Sequence, residues 1–496
     1  MKYTIILIFI LALIIRFAFF PGNVYFAYDQ ARDSYFAEDI LNGDIRLIGP
    51  PSAASDKLFP GPLSLYIYSF IYFIFGQDPS FLSAFFRIYN ALGVLLVFLI
   101  GSKLFDKRVG VISSLLFAVS YEQSQYSLFM SHQPLAVLPM LLLYLGLVIF
   151  LFEKKAGGLL LISLGLGLAI QFHFVYGLMI PIALVLLFIN KSKIPRLNIR
   201  YTIFCTIVFL LTISTYIVAE FKFGFRMLKA IISGNSSFAF HIDKALYSAN
   251  RFIHDTYLAD YQSTFFILVI VLVVFAYYIW RPEIKRKALF LLIWFGSGIL
   301  PYLLFGTTSY YYSAAASVSL LLFFSFLVIK TYLRNVVVGA ILFLSVLGNN
   351  LFLIKTQNPN GPNKDIVIQH GMLLAKEKEV LDYIYQESGG KSFAVRALTI
   401  PLNVNTTWSY LFEWFGEEKY SYLPVWSEKP AEGFPGNLPY FIDRSRLPET
   451  QFVIIEPTVG IPEHDRKKFF NEEGYFAELV EERSFGTIIV QKRSKI

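Results

Sequence analysis

The sequence predicts an α-helical protein that crosses a membrane many times, and three observations support this fold class. Apolar residues make up 56% of the 496 residues and charged residues only 16%, against roughly 25% charged in soluble domains. Several apolar runs are long enough for a hydrocarbon core of about 30 Å. The net charge of +8 comes from short basic clusters between these runs, so it indicates topology and does not favour nucleic acid as a partner.

The first outer loop is predicted at 21–86, directly after a first span at about 3–20. That span is expected to be retained, because no small-residue cleavage site follows it. The loop has an unusually polar part, 25–62. Its last apolar stretch, 63–76, is short for a span and rich in Tyr, so we predict a helix lying in the outer membrane interface.

The basic connections determine the predicted orientation. If 63–76 does not cross, eleven spans remain and every second connection is basic. These connections hold 15 Lys and Arg against three acidic residues, and the positive-inside rule places them in the cytoplasm. The N-terminus is then cytoplasmic and the C-terminus lies outside. The predicted spans are 3–20, 87–102, 109–122, 134–152, 157–172, 174–190, 201–219, 263–280, 288–305, 312–329 and 335–354.

A second domain is predicted at 356–496, following a membrane domain at 1–355. The composition becomes charged from Thr356, with turn signals at 358–364. A helix is expected within 372–390, and the sequences KSFAVRALTI, QFVIIEP and GTIIVQKR read as strands. About 140 residues suffice for one small α/β domain, which the predicted orientation places outside the cell.

Three charged residues in the polar loop form the first candidate site. Asp29 and Asp33 are four residues apart, so on a helix they share a face, with Arg32 beside them. A carboxylate next to an arginine stays ionised, which suits a base for an incoming hydroxyl or a metal ligand. Ordinary solvated loop residues are the alternative, although acidic groups held at a membrane surface favour a function.

Lys57, preceded by Asp56, is the second candidate. A lysine is a point-charge donor suited to a phosphate, and the FPGP sequence after it forces a turn. The alternative is an interfacial lysine whose ammonium reaches the lipid headgroups.

The outer connection 121–134 supplies the third candidate, His132 with Gln133. A histidine at a membrane surface is usually a hydrogen-bonding residue. Because this connection lies on the same side as the polar loop, His132 and Gln133 are also predicted as substrate or metal contacts.

Three stretches of this sequence resemble the GT-C membrane glycosyltransferases. They are YDQARDSYFAEDILNGD, IGPPSAASDKLFPGPLSLYIYSFIYFIFG and LFDKRVGVISSLLFAVS. The branch is that of the bacterial and archaeal relatives of protein O-mannosyltransferases and aminoarabinose lipid A transferases (ArnT-like). The resemblance covers roughly residues 1–150 by motif and the rest by architecture. It implies a GT-C fold that transfers a sugar from a polyprenyl-phosphate carrier to an acceptor on the outer face of the membrane.

The resemblance also implies roles for individual residues. Asp29 falls on the acidic residue proposed as catalytic base in this superfamily. Asp56 and Lys57 fall on an acidic–Lys pair that contacts a divalent metal and the carrier phosphate. Where relatives often have Asp-Glu, this chain has Asp29 followed by Gln30, so any role of the second carboxylate passes to Asp33.

Two outer regions are expected to border the substrates. Loop 220–262 begins with a basic, amphipathic stretch that is either a wall of the carrier-lipid groove or a headgroup anchor. Tyr310, Tyr311 and Tyr312 are interpreted as an aromatic belt, with a sugar-lining role as the alternative.

The predicted function is that of a glycosyltransferase in the plasma or inner membrane, using a polyprenyl-phosphate sugar donor. It would act by inverting displacement on a lipid, protein or glycan acceptor, with Asp29 as base, Lys57 and Arg32 facing the phosphate, and a divalent metal at Asp56. A transporter or flippase of lipid-linked sugars is the alternative. It is disfavoured because the charges concentrate in an outer loop and no pair of related halves is visible.

Overall fold

A computed structural model shows a protein built from many packed helices, with a small mixed sheet near the C-terminus. It describes residues 2–50, 57–191, 194–232, 240–306, 310–313 and 315–496.

The first half of the chain is mainly helical. In order they are α1 (Lys2–Phe17), α2 (Tyr28–Leu41), α3 (Leu63–Phe75), α4 (Pro79–Ala91), α5 (Gly93–Leu104), α6 (Lys107–Ala118), α7 (Tyr121–Leu128), α8 (Val137–Leu151), α9 (Gly158–Phe172), α10 (Met179–Ile189), α11 (Ile199–Thr212), α12 (Ser214–Lys222) and α13 (Arg226–Ile232). The predicted interfacial segment 63–76 is thus helical.

The helices of the second half lead into the sheet region. They are α14 (Ile242–Thr256), α15 (Tyr261–Ile279), α16 (Lys285–Phe305), α17 (Ser317–Tyr332), α18 (Val336–Gln357), α19 (Leu374–Ser388), α20 (Thr406–Leu411), α21 (Glu417–Tyr420) and α22 (Glu463–Phe476). Short 3-10 turns lie at Gln133–Ala136, Phe174–Leu178, Tyr310–Ser313, Asn358–Asn360 and Arg444–Arg446, and a π-helical turn at Phe412–Gly416.

The helix lengths support a membrane protein but not a particular number of spans. Within the described residues, five continuous helical segments are long and apolar enough to cross a membrane. They are Pro79–Leu104 (α4 with α5), Gln133–Leu151 (α8 with the turn before it), α15, α16 and Val336–Asn360 (α18 with the turn after it). A sixth span results if α11 and α12, bent by 59°, count as one. Further apolar helices are shorter; α9 has 15 residues and α17 has 16. The helical membrane fold is therefore supported, whereas the predicted number of eleven spans stays a prediction.

Arg16 of α1 is a buried charged residue whose guanidinium donates hydrogen bonds to two other helices. Its guanidinium donates to the Asn90 side chain at 3.0 Å and to the carbonyl oxygens of Ala118 and Phe117 at 2.7 and 3.0 Å. These carbonyls lie in the last turn of α6, where carbonyl oxygens lack the regular helical partner. Arg16 therefore stabilises a helix end and joins α1, α4 and α6.

Glycines allow the helices α8 and α9 to touch through their backbones. A Cβ on Gly146 would lie 2.7 Å from the carbonyl oxygen of Gly158 and from the amide nitrogen of Ile162. A larger residue at this position would push the helices apart.

The C-terminal sheet has five strands, β1 (Ala394–Leu398), β2 (Val425–Trp426), β3 (Thr450–Ile455), β4 (Ala477–Phe485) and β5 (Ile488–Lys495). Their order is β2-β1-β3-β5-β4, with β1 parallel to β2 and β3, and β5 antiparallel to β3 and β4. The helix at α19 and the strands β1, β3 and β5 lie where the sequence predicts them.

The sheet region is attached directly to the segment that leads into α2. Residues 24–26 pair with residues 372–374 through an antiparallel bridge between Tyr25 and Leu373. Its flanking hydrogen bonds run from Phe26 N to Met372 O at 3.2 Å and from Leu374 N to Val24 O at 2.9 Å. Tyr410 of α20 packs against Phe26 and Tyr35 at 5.4 Å between ring centroids. The start of α2 is thus fixed by the C-terminal region.

Candidate active site

The first turn of α2 is anchored by Gln30. Its side-chain oxygen accepts from the Ala27 backbone N–H at 3.3 Å, and its side-chain nitrogen donates to the Met130 carbonyl at 2.7 Å. Gln30 therefore caps the helix and ties it to the 129–133 connection. Both bonds suit an amide side chain, which explains physically why a glutamine fits here.

Arg32 joins the two aspartates of α2. Its Nη1 lies 2.8 Å from Asp29 Oδ1, and its Nε and Nη2 lie 2.9 and 2.8 Å from Asp33 Oδ1. The structure thus brings the three residues together, as their spacing predicts.

The two carboxylates differ in exposure. The side chain of Asp29 is 51% exposed, whereas that of Asp33 is 2% exposed. Burial raises the pKa of Asp33 to about 6, although Arg32 acts in the opposite direction. Asp29 is therefore the accessible carboxylate of the two, and Asp33 pairs with Arg32 from the buried side.

Asp29 faces a large cavity between the helical region and the C-terminal region. The cavity has a volume of about 940 Å³. Its walls come from the start of α2, the start of α14, the 129 and 311 positions, and two C-terminal loops. The lining residues are Tyr25, Ala27, Tyr28, Asp29, Gln30, Phe129, Asp243, Lys244, Tyr247, Tyr311, Lys364, Asp365, Ile366, Val367, Ile368, Gln369, Ile400 and Pro401.

His132 and Gln133 lie in the connection that Gln30 contacts, and both are largely buried, at 8% and 7% exposed. The His132 ring stacks on His173 at 5.6 Å between centroids. Burial lowers the pKa of His132 well below its usual range and that of His173 to about 3, so both rings are neutral. Gln133 accepts a hydrogen bond from Ser131 at 2.6 Å. His132 and Gln133 are not among the described residues that line the cavity.

Lys57 is exposed. The residues that follow it contact α9 and α12, which contribute none of the described residues that line the cavity at Asp29. Gly61 N donates to the Gln171 carbonyl at 2.9 Å, and the Tyr216 hydroxyl donates to the Phe59 carbonyl at 3.2 Å. A Cβ on Gly61 would lie 2.7 Å from that Gln171 oxygen, so only glycine fits this approach. The segment after Lys57 thus lies against α9 and α12.

A metal site is not assembled by the described residues. They contain no group of three or more His, Cys, Asp or Glu that would hold an ion. Asp56, the predicted metal ligand, lies outside the described residues.

A second arginine–carboxylate group lies buried between α7, α14 and the turn at 310–313, and the sequence analysis did not identify it. Arg251 lies 4.0 Å from the Tyr310 ring centroid, and its Nη2 donates to the Tyr310 carbonyl at 3.3 Å. The Tyr310 hydroxyl donates to Asp255 at 2.7 Å, and His254 lies 2.9 Å from the same carboxylate. Nearby, Glu122 accepts a hydrogen bond from Ser317. Tyr310 is therefore a core residue and not part of an aromatic belt.

Comparison with known proteins gives one family match. The sequence pattern of the dolichyl-phosphate-mannose-protein mannosyltransferase family matches residues 60–218. A search of curated proteins finds no significant match.

Two solved proteins share the fold. ArnT from Cupriavidus metallidurans bound to undecaprenyl phosphate has a TM-score of 0.62 at 10% identity, over 98% of this chain and 97% of ArnT. The Archaeoglobus fulgidus oligosaccharyltransferase in complex with Zn and sulfate has a TM-score of 0.51 at 14% identity, over 99% of this chain and 73% of the other. The same enzyme tethered with an acceptor peptide has a TM-score of 0.51 at 13% identity, over 79% of this chain and 61% of the other.

The chain has the fold of GT-C membrane glycosyltransferases such as ArnT and the oligosaccharyltransferase. Its sequence is similar to the dolichyl-phosphate-mannose-protein mannosyltransferase family over residues 60–218, and this confirms the resemblance that the sequence predicts.

Proposed function

We propose that the chain moves a sugar from a polyprenyl-phosphate-linked donor to a hydroxyl of a lipid, protein or glycan acceptor on the outer face of the membrane. The observation that carries this proposal is the half-exposed Asp29 carboxylate, held by Arg32 in the wall of a large cavity. The fold supports it, because ArnT, similar over nearly its whole length, was solved with undecaprenyl phosphate bound.

In the proposed reaction, Asp29 accepts the proton of the acceptor hydroxyl. The acceptor oxygen attacks the anomeric carbon, and the bond from this carbon to the phosphate oxygen breaks. The electron pair leaves with the polyprenyl phosphate, and the anomeric configuration inverts. Asp33 positions Arg32, which in turn positions Asp29 through the 2.8 Å ion pair.

The phosphate end of the reaction is assigned to Lys57, with Arg32 as helper. Positive charge beside the leaving phosphate stabilises the charge that grows on it in the transition state. His132 and Gln133, each less than a tenth exposed, are proposed as further substrate contacts.

A divalent metal at Asp56 belongs to the same proposal, without a step assigned to it. Donor turnover should fall after EDTA treatment and return when the metal is added back. Unchanged turnover after EDTA treatment would contradict the proposal that a metal is required.

Donor turnover tests the proposed function. Purified protein in liposomes is incubated with a panel of polyprenyl-phosphate sugars, and released polyprenyl phosphate is measured together with movement of labelled donor across the bilayer. We expect at least one donor to be consumed. Movement of the intact donor without release would instead support the transporter alternative.

The proposed topology places 1–355 in the membrane, with the N-terminus in the cytoplasm, and 356–496 outside. The chain has one cysteine, the buried Cys205, so a Cys205→Ser background allows single-cysteine labelling. With a membrane-impermeant maleimide on intact cells, we expect Lys391→Cys to be labelled and Arg196→Cys to be labelled only after permeabilisation. The reverse pattern would contradict the proposed orientation.

A further inference from the structure

The cavity beside Asp29 has walls whose chemistry indicates what kind of acceptor it takes. We propose that it binds an uncharged saccharide, whose hydroxyl is the acceptor. This inference rests on the proposed glycosyltransferase function and names the acceptor class for the same site.

The charges in the cavity argue against an anionic acceptor. Among the described lining residues three are acidic and two are basic. Asp29 is paired with Arg32, and Lys244 lies 3.6 Å from Asp243. Recognition of a phosphate or carboxylate headgroup needs a surplus of Arg or Lys, and the lining residues do not provide one.

Aromatic rings form much of the apolar wall. Phe129 and Tyr311 stack at 5.4 Å between centroids, with an angle of 14° between the rings, and Tyr28 lies nearby in the lining. Tyr247 contributes a further ring that is 42% exposed. Flat aromatic faces with polar edges suit the face of a sugar ring, which presents C–H groups flanked by hydroxyls.

Polar groups between these rings match hydroxyls. Tyr247 and Asp365 both line the cavity, and the Asp365 carboxylate is close enough to raise the pKa of the Tyr247 hydroxyl, after the larger effect of burial. Carboxylates accept from hydroxyls and ammonium groups donate to them, so Asp29, Asp365 and Lys364 together serve both functions of a sugar hydroxyl. The volume of about 940 Å³ is near the upper end of the roughly 300–1,000 Å³ of small-molecule pockets, with room for more than one sugar ring.

The loop that carries Lys364 and Asp365 is held rigidly against α7. The Asn363 backbone N–H donates to the side-chain oxygen of Gln125 at 2.7 Å, and the Asn363 side-chain amide donates to the Tyr121 hydroxyl at 2.9 Å. A wall fixed in this way loses little entropy on binding.

A peptide acceptor fits the walls less well. Extended peptides are usually bound by an open strand edge. The C-terminal residues that line the cavity, within 364–369 and 400–401, lie in loops, and none of the described lining residues belongs to the sheet.

The test is saccharide binding without any donor. The full chain in nanodiscs is titrated with mannotriose, maltotriose and chitotriose and followed by saturation-transfer NMR. At least one of these saccharides should bind. Its affinity should be about ten-fold lower in Tyr247→Ala, because this variant lacks the aromatic ring on which the sugar stacks. Tyr475→Ala is the matched control, since Tyr475 is 79% exposed on α22 and does not line the cavity; it should bind normally.

A Ser/Thr-containing hexapeptide and lysophosphatidylglycerol are titrated in parallel. Absence of Tyr247-dependent saccharide binding overturns the inference, as does Tyr247-dependent binding of the peptide or the lipid in place of the saccharides. Because no donor is present, this result is separate from the donor-turnover assay. Saccharide binding together with no donor turnover would count against the proposed function and not against the cavity's ligand class.

Discussion

Two regions of this protein combine an arginine with carboxylates: on α2 they form direct ion pairs, whereas on α14 Arg251 is linked to Asp255 through Tyr310. The two groups also differ in exposure. On α2, Arg32 bridges Asp29 and Asp33, and Asp29 remains 51% exposed in a cavity wall. On α14, Arg251 and Asp255 are 1% and 2% exposed and are enclosed by Tyr310 and its neighbours. The same residue types thus have different consequences. The exposed Asp29 carboxylate is accessible from the cavity, whereas Asp255 is enclosed by protein. We therefore expect substitutions on α2 to act on transfer and substitutions in the α14 group to act on stability.

The largest effect is expected for Asp29→Asn. Loss of a base should lower transfer on the order of 10²–10⁴-fold. Because Asp29 is half exposed, thermal stability should change by less than about 1 kcal/mol. Transfer is measured as released polyprenyl phosphate, and unfolding by a thermal scan in detergent.

Asp39→Asn is the matched control for this variant. Asp39 lies on the same helix, is 49% exposed and pairs with Arg46 at 2.6 Å, but does not line the cavity. Near-normal transfer by Asp29→Asn, or an equal loss in Asp39→Asn, would remove the special role of Asp29.

Arg251→Leu should act on stability. It leaves the buried Asp255 without its compensating charge, which costs about 3–5 kcal/mol. Thermal unfolding in detergent should therefore begin at a clearly lower temperature. Arg446→Leu, at a 72% exposed arginine, should unfold like the unmodified protein. An unchanged unfolding temperature in Arg251→Leu would show that the buried group is not structural.

Asp33→Asn should have the smallest effect, about ten-fold on transfer, and should change the pH profile. The pKa of Asp33 is raised to about 6, so acidification through pH 6 neutralises it and weakens its hold on Arg32. Transfer by the unmodified protein should fall in this range, and the Asn variant should lack this fall. An identical acid limb in both proteins would assign the titration to another group.

The sign of the linked stability separates this effect from unfolding. Because the folded-state pKa of Asp33 is raised, its contribution to stability is fully present at low pH and is lost as the pH rises through about 6. The loss of activity on acidification therefore does not arise from unfolding driven by this carboxyl group.

Local patterns are enough to predict the strands that have many buried apolar residues. The strands β3 and β5 are rich in Val and Ile, and β1 is apolar apart from Arg396. The strand β4 was missed because its residues between Ala477 and Phe485 are exposed and mostly charged, which is typical of an edge strand and hides the alternation of apolar residues.

The candidate site was predictable only where its residues are close in sequence. The spacing of Asp29, Arg32 and Asp33 along one helix predicted their cluster, but their exposures depend on packing against distant segments. The pairing of Arg251 with Tyr310 joins positions 59 residues apart, and no local pattern indicates it. The wall at 364–369 is likewise set by the contacts of Asn363 with α7.

The anomeric configuration of the product tests the central claim most directly, since that claim makes Asp29 a base in a single displacement. The donor consumed in the turnover assay is supplied with a known anomeric configuration, and the product is examined by NMR. The proposed mechanism predicts the opposite configuration in the product. Retention would contradict it, because it requires two displacements and would make a carboxylate such as Asp29 a nucleophile and not a base.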